Sequence, residues 1–308
     1  MDGSNELISN VSETETVFQK RARYYSPANI FTVKLPPVPK HVFTDEIEQA
    51  MANDAPTGWI ALDAGVRMGF DYPATTPMLL GRYATVRAGD SLTGQFQSSG
   101  ELYYVIAGAG SAAKAGEVID WAAGDIFALP GGGETELTGG VEGGVLFQVT
   151  NEPELTFHGL AAPHPGASPT QAVHYPDVEI RRRMALVHDL QKSDPNAAGL
   201  AMHFSSEQRE ELGDIHPSIA LAMNSLDAHE NQRPHRHNSV AMTLPIQCDR
   251  VYSVIEGERF DWHQYAIMIT PPANLHEHRN EGDAMMRSLV VQDGSLYYHL
   301  RTIGFSFG

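Results

Sequence analysis

The feature that most constrains the fold is an internal repeat, in which the second half of the chain resembles the first half about 140 positions earlier. The first copy begins at Thr76-Pro77 and the second at His216-Pro217. Further along, Asp120-Trp121 of the first copy lies opposite Asp261-Trp262 of the second. The repeat therefore predicts two similar folding units in one chain.

Both copies consist of short apolar or alternating segments separated by Gly, Pro and Asp, as in 101–106, 251–255 and 286–291. This pattern is typical of β-strands joined by turns. Many short strands without intervening helices favour an all-β barrel or sandwich, of which the jelly roll is one kind. We expect an N-terminal extension with one helix at 1–70, a first barrel at 71–155, a helical linker at 156–213 and a second barrel at 214–308.

Two helices are predicted outside the repeats. The segment 44–51 carries acidic residues in its first turn, and Thr44 is a plausible N-cap. The segment 175–190 is the second, and its run of Arg181, Arg182 and Arg183 is expected to face solvent.

Composition excludes several classes of protein. Hydrophobic residues make up 42% of the chain, which predicts a folded protein, and the net charge is −17. That charge argues against nucleic acids and anionic membrane surfaces as partners. A single cysteine, Cys248, excludes an intramolecular disulfide and favours a reducing, cytoplasmic location. Residues 1–30 show no apolar signal-peptide core, and no apolar run is long enough to span a membrane.

Four histidines of the second copy form two pairs with a spacing of two residues, His235/His237 and His276/His278. Residues i and i+2 of a strand point to the same face of the sheet. A third imidazole from a second strand can complete a facial three-nitrogen site with open positions opposite. Such a site binds a divalent first-row metal ion and a small ligand.

The repeat strengthens the metal hypothesis, because the first copy has no histidine at the corresponding positions. His235 and His237 lie opposite Gln95 and Gln97, while Thr135 and Leu137 take the places of the other two histidines. Histidines with scattered structural roles would have no reason to gather at one set of repeat positions. In the first copy, Glu101 and Glu134 could hold a weakly bound ion, or that copy could serve only as a scaffold.

The second copy resembles the cupin superfamily and, within it, the bicupins of the gentisate 1,2-dioxygenase type. The residues that carry the resemblance are Pro234-His-Arg-His-Asn-Ser, Val251-Tyr-Ser-Val-Ile-Glu-Gly-Glu and Ile269-Thr-Pro-Pro-Ala-Asn-Leu-His-Glu-His. The match covers about 75–155 and 214–300. It implies an all-β bicupin with two double-stranded β-helix (jelly-roll) barrels, short helical connections and assembly into a homodimer or homotetramer.

Three features depart from the family pattern. The histidines lie in the C-terminal barrel, whereas gentisate dioxygenases usually carry the metal in the N-terminal one. The family's Pro-Pro-Trp-x-Trp segment is here 271–275, which has no aromatic residue. Ser239 stands where the family commonly has Gln.

The resemblance implies an Fe(II)-dependent, ring-cleaving dioxygenase that acts on O2 and a hydroxylated aromatic acid similar to gentisate or salicylate. The expected ligands are His235, His237 and His276. His278 is expected either to replace one of them or to hold the substrate phenolate as an acid/base.

Three further residues receive expected roles. Arg287 lies on an alternating strand and could anchor the substrate carboxylate. Asp293 matches an acidic residue of the family and is expected to support His278 in catalysis. Ser239 is expected to contact the substrate.

Two other functions remain open at this stage. The same ligands serve cupins that cleave β-diketones or flavonols, and non-redox lyases or isomerases that use Mn, Ni or Zn. A bicupin that binds a small molecule without catalysis is the third possibility.

Overall fold

The computed structural model describes residues 16–24, 34–191, 200–302 and 304–308. Of residues 1–30, in which the sequence shows no signal-peptide core, all but 16–24 lie outside this description. The chain divides into two units, 1–37 and 38–308. In the first unit a short helix begins at a capping box, in which Thr16 and Gln19 satisfy each other's backbone N–H groups.

Nineteen strands are found in the described residues. In chain order they are β1 His41–Val42, β2 Gly58–Ala61, β3 Leu80–Val86, β4 Ser91–Gln95, β5 Gly100–Lys114, β6 Glu117–Ala122, β7 Ile126–Pro130, β8 Glu134–Thr150, β9 Val173–Tyr175, β10 Leu200–His203, β11 Ala220–Leu226, β12 His235–His237, β13 Ala241–Gln247, β14 Val251–Ile255, β15 Glu258–Asp261, β16 Met268–Thr270, β17 His276–Asn280, β18 Met286–Gln292 and β19 Phe305–Phe307.

The strands form three antiparallel sheets. The first half of the chain builds one sheet in the order β2-β3-β8-β5-β7-β9, with β4 paired to β8 and β6 paired to β5. The second half, joined by β1 from near the start of the chain, builds a six-stranded sheet, β1-β16-β13-β18-β11-β10, and by itself a five-stranded sheet, β15-β14-β17-β12-β19. The all-β prediction is confirmed.

The described helices are short connections between strands. They are α1 Val17–Arg21, α2 Thr44–Met51, α3 Gly65–Met68, α4 Glu152–His158, α5 Asp177–Gln191 and α6 Gly294–Leu300, with 3-10 turns at Pro165–Ala167 and Glu207–Leu212. Among the described residues, no helix has the length and apolar character needed to cross a membrane.

Both predicted helices are present, with differences at their starts. The N-cap of α2 is Phe43, not Thr44, and it makes no capping bond through its side chain. Helix α5 begins at Asp177, later than predicted, because Tyr175 ends β9 and pairs with Ile126 of β7. The proline that follows disfavours helical geometry at Tyr175.

Segments outside the predicted barrels also supply strands. β1 pairs with β16 of the second half, and β2 pairs with β3 of the first half. β9 and β10, from the predicted linker, pair with β7 and β11. The predicted boundaries at 70, 155 and 213 stay predictions, since the unit from 38 to 308 includes all of them.

The largest apolar core contains residues from both halves of this unit, including Phe147 of β8 and Leu289 of β18. Tyr83 is fully buried there, and its hydroxyl donates to the Tyr265 carbonyl at 2.5 Å. The same oxygen accepts a hydrogen bond from the Ile267 amide at 3.2 Å. The two halves are therefore joined by apolar packing and by polar contacts, which include this link and the one between the Ser99 hydroxyl and His216 Nε2, 3.0 Å apart.

In the first half, a buried ion pair lies where the second half carries histidines. The Lys114 ammonium donates to the Glu101 carboxylate, and both side chains are fully buried. Thr135 donates to Glu101 at 2.9 Å and accepts from Lys114 at 2.9 Å, while the Tyr103 hydroxyl donates to Glu101 at 2.6 Å. Glu134 is exposed, so the two carboxylates do not form the weak ion site that the sequence left open.

The two copies correspond at the positions of His276 and His278 but are shifted by one residue at the positions of His235 and His237. Thr135 and Leu137 are fully buried, as the histidines opposite them are. Gln95 and Gln97 are exposed, and Phe96 between them is buried instead. A shift of one residue moves every side chain of a strand to the other face.

We expect Lys114→Met to lower the free energy of unfolding by about 3–5 kcal/mol, because it leaves the Glu101 carboxylate buried without its partner. Urea denaturation followed by tryptophan fluorescence measures this change. The matched control is the double variant Glu101→Gln/Lys114→Met, which removes both charges and should recover most of the loss. A single variant as stable as the parent would contradict a structural role for the pair.

Candidate metal centre and adjoining cavity

Backbone pairing brings the histidine strands together. His235 of β12 and His276 of β17 are directly opposed across the antiparallel pair. The loop before β17 is tied to β12 by the Ala273 amide, which donates to the His237 carbonyl at 2.7 Å. Ala273 has a φ of 60°, a left-handed conformation uncommon for a residue with a Cβ. The loop is therefore held in a turn that sets the start of the histidine strand.

Three imidazoles converge. One nitrogen from each of His235, His237 and His276 lies within 4.8 Å of the others. The His276 ring centroid lies 4.3 Å from that of His235 and 4.8 Å from that of His237. Arg236, between the first two, is exposed on the opposite face of β12, as strand alternation predicts.

Hydrogen bonds fix which nitrogen of each ring is free. The Nδ1 atoms of His235, His237 and His276 lie 3.1, 2.8 and 2.9 Å from the backbone carbonyls of Arg233, Ser239 and Asn274. A carbonyl oxygen only accepts, so each neutral ring carries its proton on Nδ1. The unprotonated Nε2 atoms remain as donors of electron pairs to a metal ion.

Burial keeps the rings neutral. Loss of solvent lowers the pKa of His235, lowers that of His237 to about 4 and lowers that of His276 to about 2. Repulsion from neighbouring histidines lowers the last pKa further. Three neutral imidazoles with free Nε2 atoms fit a divalent first-row metal ion.

His278 is held differently from the other three. Its Nδ1 lies 2.8 Å from the Ser253 hydroxyl, and that oxygen accepts a hydrogen bond from Trp262 Nε1 at 2.7 Å. Because the indole can only donate, the Ser253 proton has His278 as its acceptor among the described residues. The neutral His278 then carries its proton on Nε2, which suits a hydrogen-bond donor and not a metal ligand. Burial lowers the pKa of His278 to about 3.

A cavity of about 260 Å³ opens beside His235, His237 and His278. This volume lies just below the usual range for sites that bind drug-sized ligands, which is about 300–1,000 Å³. Its apolar wall consists of small and aliphatic side chains with three aromatic ones, and comprises Leu200, Ala201, Ala220, Ala222, Leu226, Met286, Val290, Tyr297, Tyr298 and Phe305. The volume suits a substrate of about one ring.

The aromatic wall comes from parts of the chain that sequence reasoning did not assign to the site. Tyr297 and Tyr298 lie on α6, and Phe305 lies on β19. The Phe305 ring stacks on that of His235 with a centroid distance of 5.2 Å. β19 pairs with the ligand strand β12, a pairing between segments about seventy residues apart that no local pattern indicates.

Ser239 and Gln292 connect the metal centre to the cavity. The Ser239 hydroxyl lies 3.1 Å from His237 Nδ1 and donates to Gln292 Oε1 at 3.1 Å. This orients Gln292 Nε2 towards His237 Nε2, 3.3 Å away. Ser239, expected to contact the substrate, lines the cavity together with Gln292, which sequence reasoning missed.

The structure does not bring Arg287 or Asp293 into the cavity. Met286, Val290 and Gln292 present one face of β18 to the cavity, so Arg287 points to the opposite face, where it donates to Gln247 at 3.3 Å.

Asp293 accepts a hydrogen bond from the Val240 amide at 2.8 Å, and burial raises its pKa to about 7. The partner of His278 is Ser253, not Asp293 as expected. Asp293 therefore holds β13 against the start of α6.

We expect metal-free protein to lose stability as the pH falls from about 6.5 towards 4. The folded-state pKa values of His237, His276 and His278 lie below the ordinary value of 6.5, so the unfolded chain binds more protons in this range. The raised pKa values of Asp293 and Glu101 act in the opposite sense, but burial also lowers the pKa values of four further histidines, His41, His203, His216 and His235. Urea denaturation with a chelator at pH 7.5, 6.5, 5.5 and 4.5 measures the slope.

In that experiment the His278→Gln variant should show a flatter dependence on pH, because one titrating group has been removed. Stability that rises on acidification would contradict burial of neutral imidazoles.

We expect His235→Asn and His276→Asn to lose bound metal, because each removes an Nε2 ligand. His278→Gln is the matched control and should retain metal. Metal content measured by plasma mass spectrometry on protein reconstituted at pH 7.5 tests this expectation. Loss of metal from the His278 variant alone would show that the ligand set has been wrongly assigned.

Comparisons with known proteins agree at the level of fold. The sequence matches no family model and no curated protein. Salicylate 1,2-dioxygenase from Pseudaminobacter salicylatoxidans is similar in structure, with a TM-score of 0.73, 13% identity and 89% of each chain covered. A structure of that enzyme with gentisate adducts gives a TM-score of 0.73 and 13% identity, over 89% of this chain and 86% of the other.

A cupin 2 conserved barrel domain protein from Leptotrichia buccalis is similar with a TM-score of 0.51 and 9% identity, over 84% of this chain and 98% of the other. Identities this low carry the fold and not the activity. The likeness to salicylate 1,2-dioxygenase and to a cupin barrel protein confirms the predicted architecture. The chain has the bicupin fold.

Proposed function

We propose that this protein is an Fe(II)-dependent dioxygenase that cleaves the ring of a hydroxylated aromatic acid similar to gentisate or salicylate. One observation carries the proposal, namely the convergence of three neutral imidazoles with unprotonated Nε2 atoms, two of which, His235 and His237, line a cavity the size of one ring. The structural likeness to a salicylate dioxygenase supports this choice among cupin reactions.

The metal ligands in this proposal are His235, His237 and His276. When bound, a ferrous ion supplies the redox chemistry that couples O2 to a chelating substrate. Three neutral ligands leave the divalent charge unbalanced by the protein, so the site favours a substrate that chelates through a carboxylate and an adjacent hydroxyl. This accounts for an anionic substrate although Arg287 lies outside the cavity.

His278 and Gln292 act on the substrate. The Ser253 hydroxyl holds His278 with its Nε2 proton available to the cavity, where it donates to the substrate hydroxyl oxygen. His237 Nε2 would hold the metal ion, and the Gln292 amide, which faces that nitrogen in the absence of metal, would then be free to donate to the substrate carboxylate. Ser239 keeps that amide in the required orientation.

The apolar wall orients the ring. The three aromatic side chains from α6 and β19 provide ring faces that the 271–275 segment lacks. Assembly as a homodimer or homotetramer and a cytoplasmic location remain predictions from the sequence.

The proposal is tested by oxygen uptake. Protein loaded anaerobically with Fe(II) should consume O2 when supplied with one class among gentisate, salicylate, aminohydroxybenzoates, hydroxynaphthoates and catechols. His276→Asn should abolish uptake, and His278→Gln should retain iron while the rate falls roughly 10²–10⁴-fold. An oxygen electrode and chromatography of the product measure both effects.

Two outcomes would overturn the proposal. Protein with bound iron that consumes no O2 across the panel would exclude ring cleavage of these compounds. Turnover of a substrate without O2 would indicate a lyase or an isomerase with the same ligands.

A further inference from the structure

The strand that carries two of the three expected metal ligands is short and has little pairing with its inner neighbour. β12 is in register with β17 at one position only, where His235 lies opposite His276. On its other side, β12 is in register with β19 at three positions. β19 therefore makes the larger part of the registered pairing of the ligand strand.

The corresponding strand of the first half is held differently. β4 pairs with β8 at five positions, and among the described residues no strand lies along its other edge. The half that carries the histidines thus has less pairing on the inner side of this strand and one additional strand on the outer side. The additional strand is β19.

Further hydrogen bonds fasten β19 to β12 at both ends. The Gly308 amide donates to the Pro234 carbonyl at 3.0 Å. At the other end, the Asn238 amide donates to the Gly304 carbonyl at 3.0 Å. The Asn238 side chain donates to the Thr302 carbonyl at 2.6 Å and accepts from the Gly304 amide at 3.1 Å. The position of β12 is therefore fixed along its whole length by the chain that leads into and out of β19.

The aromatic side chains of β19 lie on the same face as the ligands. Phe307 is in register with His235, and Phe305 is in register with His237. Directly opposed residues of an antiparallel pair point to the same face of the sheet. The Phe305 ring accordingly stacks on the His235 ring, with a centroid distance of 5.2 Å and an interplanar angle of 28°. A ring that stacks in this way limits how far the imidazole can tilt.

Phe307 contacts the residue that orients His235. The Arg233 guanidinium lies 3.7 Å from the centroid of the Phe307 ring. The Arg233 carbonyl is also the group that faces His235 Nδ1, at 3.1 Å. β19 thus contacts both the ligand ring and the residue whose carbonyl fixes the tautomer of that ring.

We propose that β19 is a working part of the metal centre, in which Phe305, Ser306 and Phe307 are positioning residues for His235 and set the affinity of the site for a divalent metal ion. This inference rests on the ligand set of the proposed function. It is independent of the reaction that the bound metal ion carries out.

The physical reason is pre-organisation. Three neutral imidazoles bring no negative charge to attract a cation, so the affinity depends on how well the rings are arranged before the metal ion binds. Groups that orient a metal ligand typically change metal affinity about 10–100-fold when they are removed. Phe305 has no polar atom in its side chain, so it acts on the metal ion only through the position of His235.

The first test is a titration of metal-free protein with Co(II), followed by the visible absorption of the bound ion. Phe305→Ala should raise the Kd about 10–100-fold and change the band intensity, which reports coordination geometry. Phe305→Tyr keeps the ring and should bind as the parent does. Phe157→Ala is the matched control, because it removes a similar ring contact, 5.1 Å from His158, on α4.

The second test concerns the backbone of β19. The hydrogen bonds at 234/308 and 238/304 flank the opposed pair of Arg236 and Ser306. Hydrogen-bonded pairs alternate along an antiparallel ladder, so these two residues exchange their backbone N–H···O bonds. Ser306→Pro removes one donor and should weaken Co(II) binding at least tenfold. Ser306→Ala keeps the amide and should bind Co(II) as the parent does.

Circular dichroism of each metal-free variant shows whether the remaining fold is retained. Phe305 is half-exposed, so its loss should leave the fold intact. Parental Co(II) affinity in both Phe305→Ala and Ser306→Pro would overturn the inference. The same follows if Phe305→Tyr and Ser306→Ala lose as much affinity as these two variants, or if the parent does not bind Co(II).

The inference and the proposed function can fail separately. If the two β19 variants bind Co(II) weakly but the iron-loaded parent consumes no O2, the positioning role stands and ring cleavage does not. If the iron-loaded parent consumes O2 and both variants bind Co(II) as the parent does, ring cleavage stands and β19 has no role in the metal centre.

Discussion

The site depends on three hydrogen bonds between histidine Nδ1 atoms and backbone carbonyls. Each carbonyl belongs to a residue two positions from its histidine, so the bond is set by the local path of the chain. Because the carbonyls only accept, all three rings present an unprotonated Nε2. Burial then keeps the rings neutral, and a neutral Nε2 is what a metal ion requires. His278 differs from these three, because its Nδ1 accepts a hydrogen bond from a hydroxyl and does not face a carbonyl.

The two halves of the repeat place different polar groups in their interiors. The second half gathers neutral imidazoles whose lone pairs suit an external cation. The first half supplies its own cation, Lys114, and pairs it with Glu101 and Thr135 in full burial. An ammonium held by covalent linkage cannot leave or be exchanged, so this half has a fixed polar interior at these positions.

The sequence predicted the ligand strands but not every residue around them. The i, i+2 spacing places His235 and His237 on one face because strand geometry is local. Arg287 and Asp293 were expected at the site, but the first lies on the face of β18 opposite the cavity and the second follows its last residue, Gln292. Whether the odd-numbered or the even-numbered residues of a strand face the cavity decides which side chains can reach it. The sequence shows this only when one face of the strand is clearly apolar. The run 286–292 carries apolar and polar residues on both faces, so its alternation did not show which face lies towards the cavity.

The sequence alone determined the repeat, the all-β class and which histidines converge, because periodicity and spacing are properties of neighbouring residues. The tertiary structure decided the rest. The aromatic wall from α6 and β19 and the link from Ser239 to Gln292 both arise where distant segments meet. Such contacts depend on sheet order and register, which follow from packing of the whole chain and not from any local pattern.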